Sequence, residues 1–546
     1  MNGLVNYLKW LWRNMRGVRL NVTVRTFLGI SRVFLGLYFI YVSKHFIDVT
    51  TVTGSSSDIW REVAFLAFLG LLNIALGQVQ YYMQVDGSAS LSNSIRLRIF
   101  SHLFERKMYD AKDMHTGDLT SRLGTDVGVV TETIITLIPG FFITCIQLTA
   151  AFYFMTRLDA HLAWILVLLT PAVIGLGKFL STRLKRMTKD IREQDSRIQA
   201  LLQEGLLHNA LLKSLESGTS VIGNLSGMQT DLITKIRNRA KFTLITRALV
   251  SVCFSMGYLT AFVWGGMQLR TGVISFGVMT SFLQLVGQIQ RPIIDLIGII
   301  PSFIHSTASI DRLDELEDLP IEEQKEPLEM KGQLGVRIEG IDFKYVSGEE
   351  EVLHHFSHDF RPGSHTAIVG RTGAGKTTLF RLLLALVSPN SGKLTIYNEQ
   401  DSHPIDVSTR CNFVFVPQGN TLLSGTIREN LLLANAFATE EDMLNALHTA
   451  AADFVMDLPD GLDTRCGERG KGLSEGQAQR IAIARGLLRP GNILLLDEIS
   501  SSLDMNTEKE MFERLFRNYP QKTMIFITHR EKVGELCENR LHIGND

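Results

Sequence analysis

The chain has little charge for its length, and neither sign prevails. Asp, Glu, Lys and Arg make up 20% of 546 residues, and 55 basic residues face 56 acidic ones, for a net charge of −1. There is no global basic field to hold nucleic acid, which excludes that class of partner. Cysteine is scarce as well. Cys145, Cys253, Cys411, Cys466 and Cys537 are scattered and form no C-x-x-C pair, which argues against a disulfide framework and a zinc site. Met1 to Arg16 alternates apolar and basic residues and lacks the short apolar core and cleavage site of a signal peptide.

Apolar residues are abundant, at 45%, and they are unevenly spread. Six segments reach the roughly 20 residues of helix a bilayer requires: Phe27–Ile47, Val63–Met83, Ile134–Met155, Leu162–Leu180, Phe242–Leu269 and Ile274–Ile300. All lie before residue 315. A polar, Pro-containing stretch, Asp311 to Lys331, reads as a linker to a soluble half. The expected organisation is an amphipathic interfacial helix at 1–16, a six-helix all-α transmembrane domain at 17–315, a linker at 316–332 and an α/β P-loop ATPase domain at 333–546. Basic residues crowd alternate loops: Lys9 to Arg19, Arg96 to Arg122, and Arg183 to Lys241, whereas the opposite loops are short. The positive-inside rule then places both termini in the cytoplasm. Asp86–Thr131 and Leu184–Lys241 are polar but helical in pattern, so spans two to five are expected to continue below the membrane.

Polar residues recur along single helix faces inside the spans. Asn73, Gly77, Gln80, Gln84 and Ser88 form one stripe, and Gln284, Gln288, Arg291 and Asp295 another. Such residues face a bundle interior or a cavity, because exposing them to lipid is costly. A transport pathway and simple interhelical packing both account for them. Arg32 and Lys178 have stems long enough to snorkel to the interface.

The soluble half opens with Gly370-Arg371-Thr372-Gly373-Ala374-Gly375-Lys376-Thr377-Thr378, a fit to G-x-x-x-x-G-K-[ST]. In such a loop backbone N–H groups cradle phosphates, the lysine reaches the β/γ-phosphates and the hydroxyl takes Mg²⁺. The apolar run Ala367–Val369 before it is a short strand, and Thr378 to Leu386 a helix whose positive end meets the anion. Ile493–Leu496 is a buried strand ending in Asp497 and Glu498, one carboxylate for the metal and one for the attacking water. Gln418, after the strand Asn412–Val416, offers an amide to the metal. His529, after the strand Thr523–Thr528, can reach the γ-phosphate, and Tyr345 can stack on an adenine. Ser474, Gly476 and Gln477 stand at the N-terminus of a further helix, expected at Ala478–Leu488, and make a second anion cradle about a hundred residues from the first. One γ-phosphate does not need two cradles from one domain. The physical resolution is a sandwich, in which this segment of one chain closes on the ATP held by another.

In the order of these parts the chain resembles an ATP-binding cassette exporter half-transporter. Tyr345 corresponds to the aromatic loop, Gly370–Thr378 to Walker A, Gln418 to the Q-loop, Leu473–Gln477 to the signature, Ile493–Asp497 to Walker B, Ser501–Asp504 to the D-loop and His529 to the switch histidine. Thr464–Gly470 is similar to the exporter X-loop. Thr116–Arg122 resembles the first coupling helix, and Asn209–Glu216 stands where the second is expected. Glu475 departs from the usual signature glycine, and no peptidase domain is expected ahead of the spans.

The resemblance implies ATP and Mg²⁺ as cofactors and ATP-driven export by alternating access. It assigns catalysis to Glu498, His529 and Gln418, and metal binding to Thr377, Gln418 and Asp497. It further implies a multi-pass protein of the plasma or bacterial inner membrane, dimerising with a second half-transporter. A homodimer needs no compensating motifs and a heterodimer stays open, as does a small-molecule, lipid or peptide cargo. A soluble repair or translation ATPase is opposed by the six spans. A channel is opposed by the complete hydrolytic set, and an importer by the fusion of spans and cassette on one chain.

Overall fold

The computed structural model describes residues 2–52, 56–107, 116–158, 160–345, 351–371, 373–467, 472–530 and 535–544; of residues 160–181 only the Trp164 side chain is described. The chain forms two compact units, residues 1–99 with 120–316, and residues 100–119 with 317–546.

The first unit is helical. A short α1 (Asn2–Asn14) is parted by a left-handed Gly17 from α2 (Arg19–Val52). There follow α3 (Ser56–Glu105), α4 (Thr116–Ser121), α5 (Val127–Glu132), α6 (Ile138–Leu158), α7 (Ala160–Leu207), α8 (Asn209–Ser214), α9 (Gly218–Arg270) and α10 (Phe276–Glu317), with the last turns of α3 and most of α4 counted to the second unit. Among the described residues, four helices are long and apolar enough to cross a membrane: 19–51, 57–105, 117–158 and 218–270. The expected fourth span lies in α7, on side chains outside the described residues, and the expected sixth lies in α10. Helices α3, α7 and α9 have 50, 48 and 53 residues. At about 1.5 Å per residue each is more than twice as long as a hydrocarbon core of about 30 Å, so each has room for a long polar extension.

Two π-helical turns, Arg122–Asp126 and Thr133–Leu137, interrupt the helix through α4, α5 and α6. A π-turn breaks the regular carbonyl ladder, and Arg25 of α2 donates to the Ile135 carbonyl in the second one. In the first, the buried Asp126 accepts from Ser309 at 2.8 Å and Arg312 at 2.6 Å, fastening it to α10. Helix α10 itself runs into the stretch expected to be linker, because Ile310, Leu313 and Leu316 are buried at helical spacing.

The α3 stripe is half-buried, and Gln284, Gln288 and Asp295 of the α10 stripe line a cavity. Arg32 does not snorkel: Asn73 and Gln80 accept from it at 3.1 and 2.7 Å. Gln147 donates to Gln288 at 2.6 Å, beside a cavity of about 860 Å³ lined in part by Asn73, Gln147, Gln284, Gln288 and Asp295. The side chains of Arg291 and Lys178 lie outside the described residues.

The second unit is α/β. Strands β1 (Gly335–Phe343), β2 (Leu353–Phe360), β4 (Ser391–Tyr397) and β5 (Ser402–Pro404) form an antiparallel sheet in the order β2-β1-β4-β5. Strands β3 (His365–Gly370), β6 (Phe413–Val416), β9 (Ile493–Asp497), β10 (Thr523–Ile527) and β11 (Asn539–Ile543) form a parallel sheet in the order β11-β3-β10-β9-β6. A two-residue pair joins β7 (Gly425–Thr426) to β8 (Arg465–Cys466). Every residue of β9 and β10 is buried, which is why both read as unbroken apolar runs. The helices are α11 (Lys376–Leu383), α12 (Ile427–Leu432), α13 (Glu440–Thr449), α14 (Glu475–Leu487) and α15 (Met505–Asn518).

Candidate functional site

The carboxyl ends of parallel strands are where open α/β sheets place ligands. Here four adjacent strands deliver the sequence-predicted groups to such an edge. Gly370 ends β3 and opens the loop, Asp497 ends β9, Gln418 follows β6 and His529 follows β10.

The loop from Gly370 to Thr378 turns tightly into α11; Thr372 lies outside the described residues. Gly375, in the left-handed region at φ +92°, caps the helix. A Cβ there would meet Val352 Cγ1 at 2.9 Å and the Val352 carbonyl at 3.0 Å, so glycine is required twice over. Arg371 and Gly373 are exposed, and Ala374 donates its N–H to the Arg371 carbonyl at 3.2 Å. Lys376 is 7% exposed and folds its ammonium onto the carbonyls of Gly370 and Arg371, at 2.7 and 2.9 Å. Burial lowers its pKa, partly offset by the charges of Glu498 and Asp497. A buried cation held on two carbonyls of its own loop is suited to an incoming anion.

Thr377 donates its hydroxyl to Asp497 at 3.3 Å. Burial, and then the neighbouring charge of Glu498, push the Asp497 carboxyl up to about 6, against the Thr377 hydrogen bond and the charges of Lys376 and Arg381. A hydroxyl beside a carboxylate that is costly to ionise is a hard-oxygen pair fit for Mg²⁺, whose charge would favour the ionised form. Thr378 is buried and shares a 3.1 Å hydrogen bond with the Tyr345 hydroxyl, to which Arg381 also donates at 3.0 Å. The Tyr345 ring stands edge-on to Phe343, 4.8 Å between centroids. The ring is thus tied to the first turn of α11.

Glu498 has φ +47°, a backbone position disfavoured for a side-chain-bearing residue by roughly 1–3 kcal/mol. Two backbone contacts, one of them braced by a third bond, hold it there. Its N–H donates to the Ile527 carbonyl at 3.0 Å, its carbonyl accepts from Gln479 at 3.2 Å, and Gln479 in turn accepts from Ser502 at 2.5 Å. The carboxylate is spanned by two of the expected residues: Gln418 donates to one oxygen at 2.5 Å and His529 Nε2 lies 3.0 Å from the other. Gln418, Glu498 and His529 therefore meet, as do Thr377 and Asp497. Gln479 was not expected. The only sequence signal for it is a polar residue on the apolar face of α14, where it is fully buried between Ala478 and Ile481.

Ser474 caps α14, accepting from the Gln477 N–H at 3.2 Å, while the Gln477 side chain accepts from the Ser474 N–H at 2.9 Å. This reciprocal cap starts the helix earlier than the apolar pattern alone suggests. Glu475 sits exposed at its first position, where the helix dipole favours an acid. Gly476 packs so closely on the Ser502 carbonyl that a Cβ would stand 2.8 Å from it. Among the described residues, Ser474, Gly476 and Gln477 make no hydrogen bond to the loop 370–378. The first part of the X-loop-like stretch forms β8, whereas Glu468, Arg469 and Gly470 lie outside the described residues.

Residues 353–501 match the ABC transporter family model and residues 22–293 that of the ABC transporter transmembrane region. The chain is 27% identical over 492 residues to a putative multidrug export ATP-binding/permease protein, YgaD, of Bacillus subtilis, covering 88% of this chain and 85% of that one. It is 25% identical over 549 residues to a putative export ATP-binding/permease protein of Rickettsia bellii, covering 98% and 94%. In fold it is similar to a bacterial Atm1-family ABC exporter solved with ATP bound, at TM-score 0.80 and 21% identity over 96% of this chain and 94% of that one. With a helical transmembrane domain followed by a nucleotide-binding domain whose ATPase activity is coupled to transport, the chain belongs to the ATP-binding cassette transporter family, as an exporter half-transporter.

Proposed function

We propose that two copies of this half-transporter, or one copy and a related partner, bind ATP between their nucleotide-binding domains and export a cargo by alternating access. The observation that carries this reading is the self-contained cap at Ser474, which leaves the end of α14, among the described residues, without a hydrogen bond to the phosphate loop of its own chain. Its hydroxyl accepts the cap hydrogen bond and keeps its own proton free to donate to a phosphate held by a second subunit.

In the proposed cycle the loop residues Gly370 to Thr378 cradle the triphosphate and Tyr345 faces the adenine. Lys376 leaves the two loop carbonyls for the β/γ-phosphates, and Ser474, Gly476 and Gln477 of a second subunit complete the cage. Thr377, Asp497 and Gln418 would hold Mg²⁺, which supplies charge neutralisation at the phosphates when bound. Gln418 and His529 release the Glu498 carboxylate, which then takes a proton from the attacking water, while His529 turns to the γ-phosphate. The spans open outward on closure, through the short helices α4 and α8 as coupling elements, and hydrolysis resets them. The domain boundaries proposed are 1–16, 17–315, 316–332 and 333–546. Both termini are assigned to the cytoplasm, by loop charge, and the membrane to a bacterial inner membrane.

Subunit complementation tests the sandwich. Lys376→Ala and Ser474→Arg each inactivate a homodimer. A mixed dimer carrying one change per chain retains one intact composite site, so co-expression restores ATP hydrolysis. If the mixed dimer is as inactive as its parents, ATP is not shared between subunits.

A further inference from the structure

We propose that α1 and the start of α2 bind the headgroup of an anionic phospholipid. Helix α1 has two apolar faces. Trp10, Leu11 and then Met15 are buried against the rest of the first unit, whereas Val5, Leu8 and Trp12 are 49%, 48% and 59% exposed. The exposed three recur at i, i+3 and i+7, a stripe one side chain wide. Lys9, Arg13 and Arg16 form a second stripe, at i, i+4 and i+7, directly beside it. The two stripes and Arg19 line one open groove of about 650 Å³.

The chemistry of the groove selects its occupant. No acidic residue precedes Asp48, so nothing on α1 or the first turns of α2 offsets the positive charge. Arg13 is already paired with Asp314 at 3.3 Å, and Tyr7 donates to Asp311 at 3.1 Å; these contacts fix the helix to the end of α10 and set its rotation. Lys9 and Arg16 form no ion pair among the described residues. Arg19 lies over the Trp12 ring at 4.4 Å, donates to the Trp12 carbonyl at 2.8 Å, and has its Nε buried without a hydrogen-bond partner. A phosphate among Lys9, Arg16 and Arg19 pairs with their positive charge, and an acyl chain along Val5, Leu8 and Trp12 covers the apolar stripe. A soluble anion would leave that stripe in water, and a neutral lipid would leave the cations unpaired.

The proposal rests on α1 lying at the membrane surface, and two measurements separate the two claims. Full-length protein in nanodiscs of mixed phosphatidylglycerol and phosphatidylcholine is released and its retained lipids are counted by native mass spectrometry. Wild type is expected to retain phosphatidylglycerol about tenfold over phosphatidylcholine, and Lys9→Gln/Arg16→Gln/Arg19→Gln to lose the preference, since these basic groups are what draws the anionic headgroup. Equal retention by wild type, or an unchanged preference in the triple variant, overturns the proposal. Brominated lipids then report on Trp12, as the difference between wild type and Trp12→Phe. Stronger quenching by the brominated phosphatidylglycerol supports the site. Equal quenching by both lipids overturns it and leaves the surface helix standing, and no quenching by either overturns both.

Discussion

Asp497→Asn is expected to stabilise the nucleotide-free protein while disabling it. The wild-type carboxyl is 5% exposed and its pKa is raised from an ordinary 3.8 to about 6. The folded state therefore holds this proton more tightly than the unfolded chain does. The associated stability is fully present below pH 4 and is lost as pH rises through about 6. The gap is about two pH units, and each is worth 1.36 kcal/mol, so ionisation costs about 3 kcal/mol at pH 7.5. An asparagine keeps the shape and can still accept from Thr377, but carries no charge to bury. For a domain of this size about 3 kcal/mol corresponds to roughly 6–12 °C in Tm. The assay is thermal unfolding of the full chain with EDTA and no nucleotide. The gain should vanish at pH 4, and Mg²⁺-ATP should stabilise wild type more than the variant. A variant no more stable than wild type at pH 7.5, or equally stabilised at pH 4 and 7.5, would refute the electrostatic account.

Glu498→Gln should leave ATP binding within about twofold and lower steady hydrolysis at least a hundredfold, as expected on losing a general base; nucleotide binding and phosphate release measure the two. Below pH 6 a proton competes for Asp497, so the apparent Mg²⁺ affinity should fall between pH 7.5 and 5.5, which a Mg²⁺ titration of ATPase activity reads directly. Arg410→Ala removes a fork–fork pair to Glu322, at 2.9 and 2.5 Å, and bonds to the carbonyls of Leu384 and Ala385; it should cost about 2–3 kcal/mol of cassette stability by denaturant titration. Ala385, at φ +50°, ends α11 with Leu386 N–H bonded to the Arg381 carbonyl, so Ala385→Gly should stabilise by roughly 0.5–1 kcal/mol, seen as a raised Tm.

Much of the cassette was legible because its chemistry is carried by contiguous residues. The loop Gly370–Thr378 needs glycines where the backbone turns left-handed, and β9 and β10 need unbroken apolar runs because both their faces are covered. The apolar lengths of the spans were legible for the same reason, since bilayer thickness sets a minimum helix length that composition records. Gln479 and Arg32 were not legible in this way. Gln479 looks like any polar residue in a helix until β9 and the Ser501–Asp504 turn close on it. Arg32 looks like a snorkelling side chain until Asn73 and Gln80, over forty residues on, supply its acceptors.

By itself the sequence determined which groups are present, and the local conformations that steric limits and apolar periodicity impose. Tertiary structure alone decided which distant groups share one environment. The parallel sheet brings Gln418, Glu498 and His529 within hydrogen-bonding distance and buries Asp497 beside Glu498. Docking on α10 turns Val5, Leu8 and Trp12 outward. The reason is physical: burial, charge coupling and hydrogen-bond satisfaction depend on distances through space, which spacing along the chain does not encode.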